Sequence, residues 1–247
     1  MIPRKEPTLF KSPTCNNRKL IEVLPPGSWK GHPAFITGGG PSLEGFDFSR
    51  LRGRRTIGIN RSFEFYYPTI NLSMDTRYLH FLLNGRYGKE AVNGEEALTR
   101  FKTMSSYKVW LVTYSNQLPD DIFIVPVYKN YISAIKDMSF DLGQGIAHGD
   151  NSGFAAFNLA VCLGANPIYL LGFDFIYSEK GKSHHHSGHP TPTDRPKLLS
   201  FKANFEKWAP EIKRRGIQVF NCSRISALKS FPYLDIDNVL TKVPNHG

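Results

Sequence analysis

The stretch AFITGGGPSL, residues 34–43, decides how the fold of this chain is predicted. Residues 34–37 have the apolar, β-prone character of a short buried strand. The three glycines that follow permit positive φ angles and leave no Cβ in the way of a ligand. Pro41 can begin a helical turn, and Ser42 can cap that turn or donate to a phosphate oxygen. The stretch therefore predicts a strand that ends in a phosphate-binding turn.

The glycine turn differs from two common phosphate-binding motifs. Gly38, Gly39 and Gly40 are contiguous, with no further glycine three residues on, so the dinucleotide fingerprint is absent. No Gly-Lys-Ser/Thr follows, which excludes a P-loop. A plain strand–turn–helix corner stays open as an alternative, and the rest of the chain has to decide between the two.

Predicted strands alternate with predicted helices after the glycine turn. This order is typical of an α/β, Rossmann-like fold with a mostly parallel sheet and helices on both faces. Ligands of such folds bind beyond the carboxyl ends of the strands. The predicted strands are residues 34–37, 55–60, 70–75, 107–113, 121–127, 167–174 and 217–222, and the predicted helices are 77–103 (interrupted), 152–164 and 195–215.

The pattern also predicts how the chain is divided. Residues 1–32 are rich in proline and charge and are predicted to form an arm, whereas 33–230 form one nucleotide-binding transferase domain. Within that domain, residues 128–151 lack periodicity and are predicted to be a loop or small insertion. Residues 176–194 are predicted to be a mobile, His-rich lid loop. Residues 231–247 are predicted to be a C-terminal tail.

Composition restricts the partners and the compartment. The 247 residues carry a formal net charge of +10, with one cluster of arginines between residues 50 and 61. This excess favours anionic partners, namely nucleotides, nucleic acid or anionic glycans. No apolar run is long enough to span a bilayer, and no secretory h-region begins the sequence. The three cysteines share no metal-like spacing, so a cytoplasmic protein is expected.

Polar residues follow the predicted strands at several places. The glycine turn, Asn60, Asp75 and Asp174 each stand at a strand end, and residues 221–223 can join them. Because the carboxyl ends of parallel strands meet at one edge of a sheet, these residues are expected to share a pocket.

The segment Ser183-His-His-His-Ser-Gly-His-Pro190 places four histidines in six residues. An imidazole titrates near neutrality and can take a proton from an acceptor hydroxyl, or it can bind a metal. A solvated loop is the third interpretation. We expect His189 to be the catalytic base, because a glycine precedes it, and His185 is the second candidate.

Several motifs, in order, resemble the bacterial CMP-sialic-acid-dependent sialyltransferases. They are Gly38-Gly-Gly-Pro-Ser-Leu43, Asp47-Phe-Ser-Arg-Leu51, Gly58-Ile-Asn60, Asn151-Ser-Gly153, Ile168-Tyr-Leu-Leu-Gly-Phe-Asp-Phe175 and Ser187-Gly-His-Pro190. The glycine-turn motif is also similar to a broader superfamily that includes 6-hydroxymethylpterin diphosphokinase-like proteins and motility accessory factors. The resemblance covers roughly residues 33–230.

The resemblance implies a set of site residues. The residues implied to hold the nucleotide are Gly38, Gly39, Gly40, Ser42, Asn60, Asp75, Asn151, Ser152 and Gly153. His189 corresponds to the family's catalytic histidine, and Asp174 is expected to bind ribose, the sugar or a metal. Two positions differ from the family, since Gly39 and Asp75 stand where it has asparagine. No arginine occupies residues 148–150, where the family has one.

These departures leave the donor open. The resemblance favours a CMP-type nucleotide-sugar donor, with UDP- and GDP-sugars as alternatives. The carboxylate of Asp75 makes it the candidate ligand of a divalent metal. The predicted function is a glycosyltransferase acting on an acceptor hydroxyl, of a glycan first and of nucleic acid second. The alternatives are a Mg²⁺-dependent diphosphotransferase and a non-catalytic nucleotide-binding module.

Overall fold

The fold is built on a seven-stranded sheet. The computed structural model describes residues 17–85, 94–112, 118–186 and 194–243. The sheet order is β5-β4-β3-β2-β1-β6-β7, and every neighbouring pair is parallel, which confirms the predicted α/β class. The strands are β1 Ala34–Thr37, β2 Thr56–Ile59, β3 Ile70–Ser73, β4 Tyr107–Val112, β5 Ile122–Pro126, β6 Ile168–Leu171 and β7 Val219–Asn221.

Six α-helices accompany the strands in the described ranges. They are α1 Thr76–Leu83, α2 Gly94–Thr103, α3 Tyr131–Lys136, α4 Ser152–Cys162, α5 Arg195–Arg214 and α6 Ile236–Lys242. Helix α3 lies where the sequence predicts a loop, because six residues are too few to show a period. Its start is set by Asn130, whose side chain accepts a hydrogen bond from the Ser133 amide. Helix α6 lies within the predicted tail.

Helices cover both faces of the sheet, as predicted. On one face, apolar residues of the central strands pack against α4 and α5. Helix α4 is buried almost throughout, which its many small and apolar residues permit. On the other face, Trp110 packs with α1 and α2. Phe35 and Tyr169 pack there with α6 and with a 3-10 turn at residues 48–51.

Residues 17–29 extend the core at one edge of the sheet. The Ile124 amide donates to the Arg18 carbonyl, so this segment pairs with β5 and covers its open edge. Leu20 and Trp29 are buried. The described part of the chain contains no helix with the length and apolarity to cross a bilayer.

Strand β1 is the point at which the chain changes direction across the sheet. The order runs from β1 to β5 on one side, and β6 and β7 follow on the other. Ligands of doubly wound sheets bind at such a switch point, beyond the carboxyl ends of the strands. The glycine turn after β1 therefore lies where this fold places its ligands.

Candidate functional site

The glycine turn is bound to the segment that follows β6. The Gly38 amide donates to the Leu171 carbonyl at 2.7 Å, and the Gly40 amide donates to the Gly172 carbonyl at 2.9 Å. The pairing of β1 with β6 thus continues into the turn. The Gly39 amide has no acceptor among the described residues. Only this one of the three glycine amides is left to bind a ligand.

Glycine is required at positions 38 and 40 because neighbouring atoms approach the backbone closely, and not because the backbone has a positive φ. None of the three has a positive φ. A Cβ on Gly38 would lie 2.6 Å from the Gly172 carbonyl oxygen, and one on Gly40 would lie 2.6 Å from the Asp174 carboxylate. Positive φ is found instead at Gly172, where the opposing segment turns after β6. The turn is consequently shaped by its packing.

Asp174 lies behind the glycine turn and holds it in place. Its side chain is buried with 1% exposure. The carboxylate accepts from the Ser42 amide at 2.6 Å and from the Ser42 hydroxyl at 2.7 Å. Both donors of Ser42, which the sequence assigns to a nucleotide, are therefore directed to Asp174 here. These contacts make Asp174 a positioning residue for the turn.

Asn60 connects β2 to the start of α4. Its backbone is left-handed, with φ of 48°, a region that asparagine tolerates better than most residues. The Asn71 side-chain amide donates to the Asn60 carbonyl at 3.2 Å and so supports this conformation. The Asn60 side-chain oxygen accepts from the Ser152 hydroxyl at 3.4 Å. Two predicted nucleotide-binding residues, distant in sequence, are thus in contact.

The amino terminus of α4 presents free amides. Asn151 caps the helix, since its side-chain oxygen accepts from the Phe154 amide at 2.8 Å. The amides of Ser152 and Gly153 donate to no residue in the described ranges. Gly153 is required by packing, because a Cβ there would lie 2.9 Å from the Phe173 ring. An anion can therefore be bound at this helix end.

Residues 183–186, the described part of the histidine segment, lie against the glycine turn. The His185 amide donates to the Gly39 carbonyl at 2.9 Å. The His184 ring is so close that a Cβ on Gly39 would lie 2.8 Å from it. The His185 ring contacts Phe48 and Phe65, with centroids 5.7 and 4.8 Å apart. His189 lies outside the described residues, and so does most of the second half of the predicted lid.

The surroundings of His185 keep its ring neutral. Burial and the nearby Arg61 guanidinium lower the pKa of His185 to about 4, against a smaller opposite effect of Glu44. Arg61 itself is paired with Glu64 through two hydrogen bonds of 2.7 Å. A general base works best when its pKa lies near the working pH, so His185 is a weaker candidate for that role.

One cavity joins these elements at the carboxyl ends of β1, β2 and β3. Its volume is about 240 Å³. It is lined by Gly38, Gly39, Ile59, Asn60, Arg61, Ser62, Asp75, Arg77, Tyr78, Phe81, His184, His185 and His186. The structure thus brings five of the predicted site residues to one cavity: Gly38, Gly39, Asn60, Asp75 and His185.

The remaining described candidates lie around that cavity without lining it. Gly40, Ser42 and Asp174 lie on the side of the glycine turn that faces away from the cavity lining. Among residues 151–153, Ser152 contacts Asn60, which does line the cavity. Arg61, Tyr78 and the aromatic pair Phe48 and Phe65 were not predicted as site residues, although Arg61 ends the arginine cluster seen in the sequence. The sequence pattern does not indicate the orientation of a basic or aromatic side chain between a strand and a helix. These residues could therefore not be predicted to line the cavity.

The Asp75 side chain caps helix α1 and also exposes its carboxylate to solvent. One carboxylate oxygen accepts from the Arg77 amide at 2.8 Å, which begins α1. The side chain is half exposed. Within the described ranges no three His, Cys, Asp or Glu side chains come together as potential metal ligands. A cation at Asp75 would therefore need ligands from the substrate as well.

Comparison with known proteins identifies the fold. No family model matches this sequence, and no curated protein matches it. The MAf glycosyltransferase from Magnetospirillum magneticum AMB-1 has a similar structure, with a TM-score of 0.52 and 14% identity. The match covers 88% of this chain and 35% of that one. The chain therefore shares the fold of part of a glycosyltransferase.

Two structures of a sialyltransferase are more distant matches. CstII from Campylobacter jejuni, in complex with the substrate analogue cytidine-5'-monophosphate, has a TM-score of 0.48 and 16% identity over 88% of this chain and 87% of that one. A second CstII structure with CMP has a TM-score of 0.43 and 16% identity over 87% of each chain.

Proposed function

We propose that this chain is a nucleotide-sugar-dependent glycosyltransferase. The observation that carries the proposal is the cavity that joins the glycine turn, Asn60, Asp75 and the histidine segment at the carboxyl edge of a parallel sheet. This is the position at which doubly wound folds bind nucleotides. The fold shared with the MAf glycosyltransferase and the sequence motifs support the same activity.

The donor phosphate is assigned to the free amides. The Gly39 amide and the α4 amides of Ser152 and Gly153 lack acceptors in the described structure, and Asn60 lies between the two groups. Preorganised amides stabilise the negative charge that develops on the phosphate as the sugar leaves. Asp75, which lines the same cavity, is assigned to the ribose or to a cation bound with the phosphate. The motifs favour a cytidine nucleotide over UDP or GDP.

His189 is assigned as the general base that deprotonates the acceptor hydroxyl. His185 is committed to the aromatic pair beneath it, and its lowered pKa suits a structural contact better than proton transfer. We expect His189→Ala to reduce transfer by about two to four orders of magnitude, the usual size of a general-base contribution. Nucleotide affinity should stay within about twofold of the parent.

Nucleotide titration tests the donor site directly. CMP, UDP, GDP and ATP are titrated by calorimetry into the parent, Asn60→Gly and Lys129→Gly proteins. Asn60 and Lys129 both have left-handed backbones, so glycine fits each position, but only Asn60 lines the cavity. We expect Asn60→Gly to weaken binding about tenfold, as the loss of one or two hydrogen bonds would. Equal affinities in the two variants would contradict the assignment.

Turnover separates the proposed activity from its alternatives. The parent protein is incubated with CMP-, UDP- and GDP-sugars, and free nucleotide is measured. Release of nucleotide from one of them supports the proposal. AMP release from ATP that depends on Mg²⁺ would identify a diphosphotransferase instead. Binding without any turnover would identify a non-catalytic module.

A further inference from the structure

A second and larger cavity is lined in part by the loops that precede β2 and β3. Its volume is about 720 Å³, within the range of small-ligand sites. Four arginines line it, namely Arg52, Arg54, Arg55 and Arg100. We propose that this arginine cavity binds the anionic part of the acceptor, a glycan that carries a carboxylate or a phosphate. The proposal rests on the glycosyltransferase function and names the substrate class of that site.

The arginine cavity carries positive charge that the protein itself does not neutralise. Arg52 is exposed and Arg55 is half-buried, and neither pairs with a carboxylate in the described ranges. No acidic residue is among the described residues that line the cavity. Planar guanidinium groups bind carboxylate and phosphate through paired hydrogen bonds, so these two arginines can bind such a group.

Arg54, the middle arginine of residues 52–55, forms structural hydrogen bonds that leave its charge without a carboxylate partner among the described residues. Arg54 donates to the carbonyl oxygens of Arg50, Leu240 and Val243, and the latter two belong to the carboxyl end of α6. Its guanidinium is thereby fixed without a carboxylate partner. Arg100, in contrast, forms an ion pair with Glu96 at 2.8 Å. The available charge is therefore concentrated at residues 52–55.

Two exposed aromatic rings complete the arginine cavity. Phe65 is 41% exposed and Tyr67 is 51% exposed, and both line it. Exposed aromatic rings of this size are costly to leave in water, and their flat faces can cover the apolar side of a sugar ring. Anion-binding arginines beside such rings fit an acidic sugar.

Two aromatic side chains connect the arginine cavity with the proposed catalytic region. Phe48 and Phe65 line the arginine cavity, and both rings also contact His185, which lines the nucleotide cavity. Arg52 and Arg55 precede β2 and Asn60 follows it, so the four residues of that strand, about 13 Å, separate these arginines from the donor site. A glycan of several sugars held by Arg52 and Arg55 could span this distance along Phe48 and Phe65 to the donor.

The distribution of charge favours a glycan over nucleic acid. Proteins that bind single-stranded nucleic acid use a basic groove that follows the backbone over many nucleotides. Here the unpaired arginines are clustered at one bounded cavity, and its volume suits an oligosaccharide of a few residues. Nucleic acid is accordingly the competing outcome of the test.

The test measures glycan binding without any donor. Sialyllactose, glucose phosphate and uncharged lactose are titrated by calorimetry or NMR into the parent protein, Arg52→Gln/Arg55→Gln and Lys213→Gln/Lys229→Gln. The control pair removes the same charge from exposed lysines that do not line the cavity. We expect at least one acidic sugar to bind the parent and the control about tenfold more tightly than the arginine variant. Lactose should bind more weakly than the acidic sugars.

Three outcomes would overturn the proposal. They are no binding of either acidic sugar, equal binding by the arginine variant and the parent, and tighter binding of a single-stranded DNA oligonucleotide with the same arginine dependence. The nucleotide titration is independent of these measurements. A protein that binds nucleotides and no acidic sugar would retain the proposed function and lose only this inference.

Discussion

The two aspartates that follow β6 and β3, Asp174 and Asp75, lie in very different surroundings. Asp174 is 1% exposed and directs both oxygens to Ser42 behind the glycine turn. Asp75 is half exposed, lines the cavity and uses one oxygen to cap α1. An aspartate that follows a strand is thus buried and fully hydrogen-bonded in one case, and exposed at the cavity in the other.

This difference shows how the cavity is built. The buried wall is formed by the glycine turn, the segment after β6 and Asp174, and a Cβ added at Gly38 or Gly40 would meet backbone or a carboxylate there. The open wall is formed by Asp75, which is half exposed, and by residues 183–186 of the histidine segment, which are partly buried. Substitutions on the two walls should therefore affect different properties.

The largest effect is expected for Asp174→Ala. The change removes two hydrogen bonds to a carboxylate and leaves the Ser42 donors unpaired in a buried site, at a cost of about 3 kcal/mol. For a domain of this size, the melting temperature should fall by about 6–12 °C. Urea unfolding and calorimetry measure the two quantities.

A double-mutant cycle with Ser42→Ala identifies the cause of that loss. If Asp174 acts by holding Ser42, the free-energy losses of the two single variants should not add in the double variant. Additive losses would show that Asp174 stabilises the fold through other contacts.

The second prediction compares two glycines of one turn. Gly40→Ala would place a Cβ 2.6 Å from the Asp174 carboxylate and from the Gly172 carbonyl, so the buried wall must shift. We expect a loss of about 2 kcal/mol in unfolding free energy, typical of overpacking. Gly39→Ala meets only the His184 ring, a side chain that can move, so its loss should be below about 1 kcal/mol. Urea unfolding of both variants checks the order, and equal losses would contradict the two-wall description.

More of the fold than of the site could be predicted from the sequence. Apolar strands alternate with helices many times along the chain, and each repetition independently indicates a parallel sheet. The site depends on where individual side chains point after a strand ends. The sequence gives the same signal for Asp75 and Asp174, because burial is decided by the segments that pack over each residue. Gly172 was predicted to lie within a strand, whereas β6 ends at Leu171 and the turn begins there.

The third prediction concerns Asp75 on the open wall. Asp75→Ala removes the cap of α1 and should cost about 1 kcal/mol in unfolding free energy, less than Asp174→Ala or Gly40→Ala. Asp75→Asn retains a capping oxygen and should cost only a few tenths of a kcal/mol. Both variants should weaken nucleotide binding if the carboxylate contacts the ribose or a cation. Unchanged calorimetric titrations with CMP, with and without Mg²⁺, would restrict Asp75 to its role as a cap.

The last prediction concerns the local docking of residues 183–186, which affects global stability least and depends on pH. The pKa of His185 is lowered to about 4 in the folded chain, mainly by burial and then by Arg61, whereas an exposed histidine titrates near 6.5. Between these values the docked segment binds fewer protons than the released one. Docking is therefore intact above about pH 6.5 and weakens by up to about tenfold per pH unit as the pH falls towards 4.

Amide hydrogen exchange at position 185 measures this equilibrium, since that amide donates to the Gly39 carbonyl. Protection should decrease from pH 6.5 to pH 4.5, after correction for intrinsic exchange rates. The His185→Phe variant keeps an aromatic ring against Phe48 and Phe65 without a titrating group, so its protection should be nearly independent of pH. An NMR titration that gave His185 an ordinary pKa would place its ring in water and remove the histidine segment from the open wall.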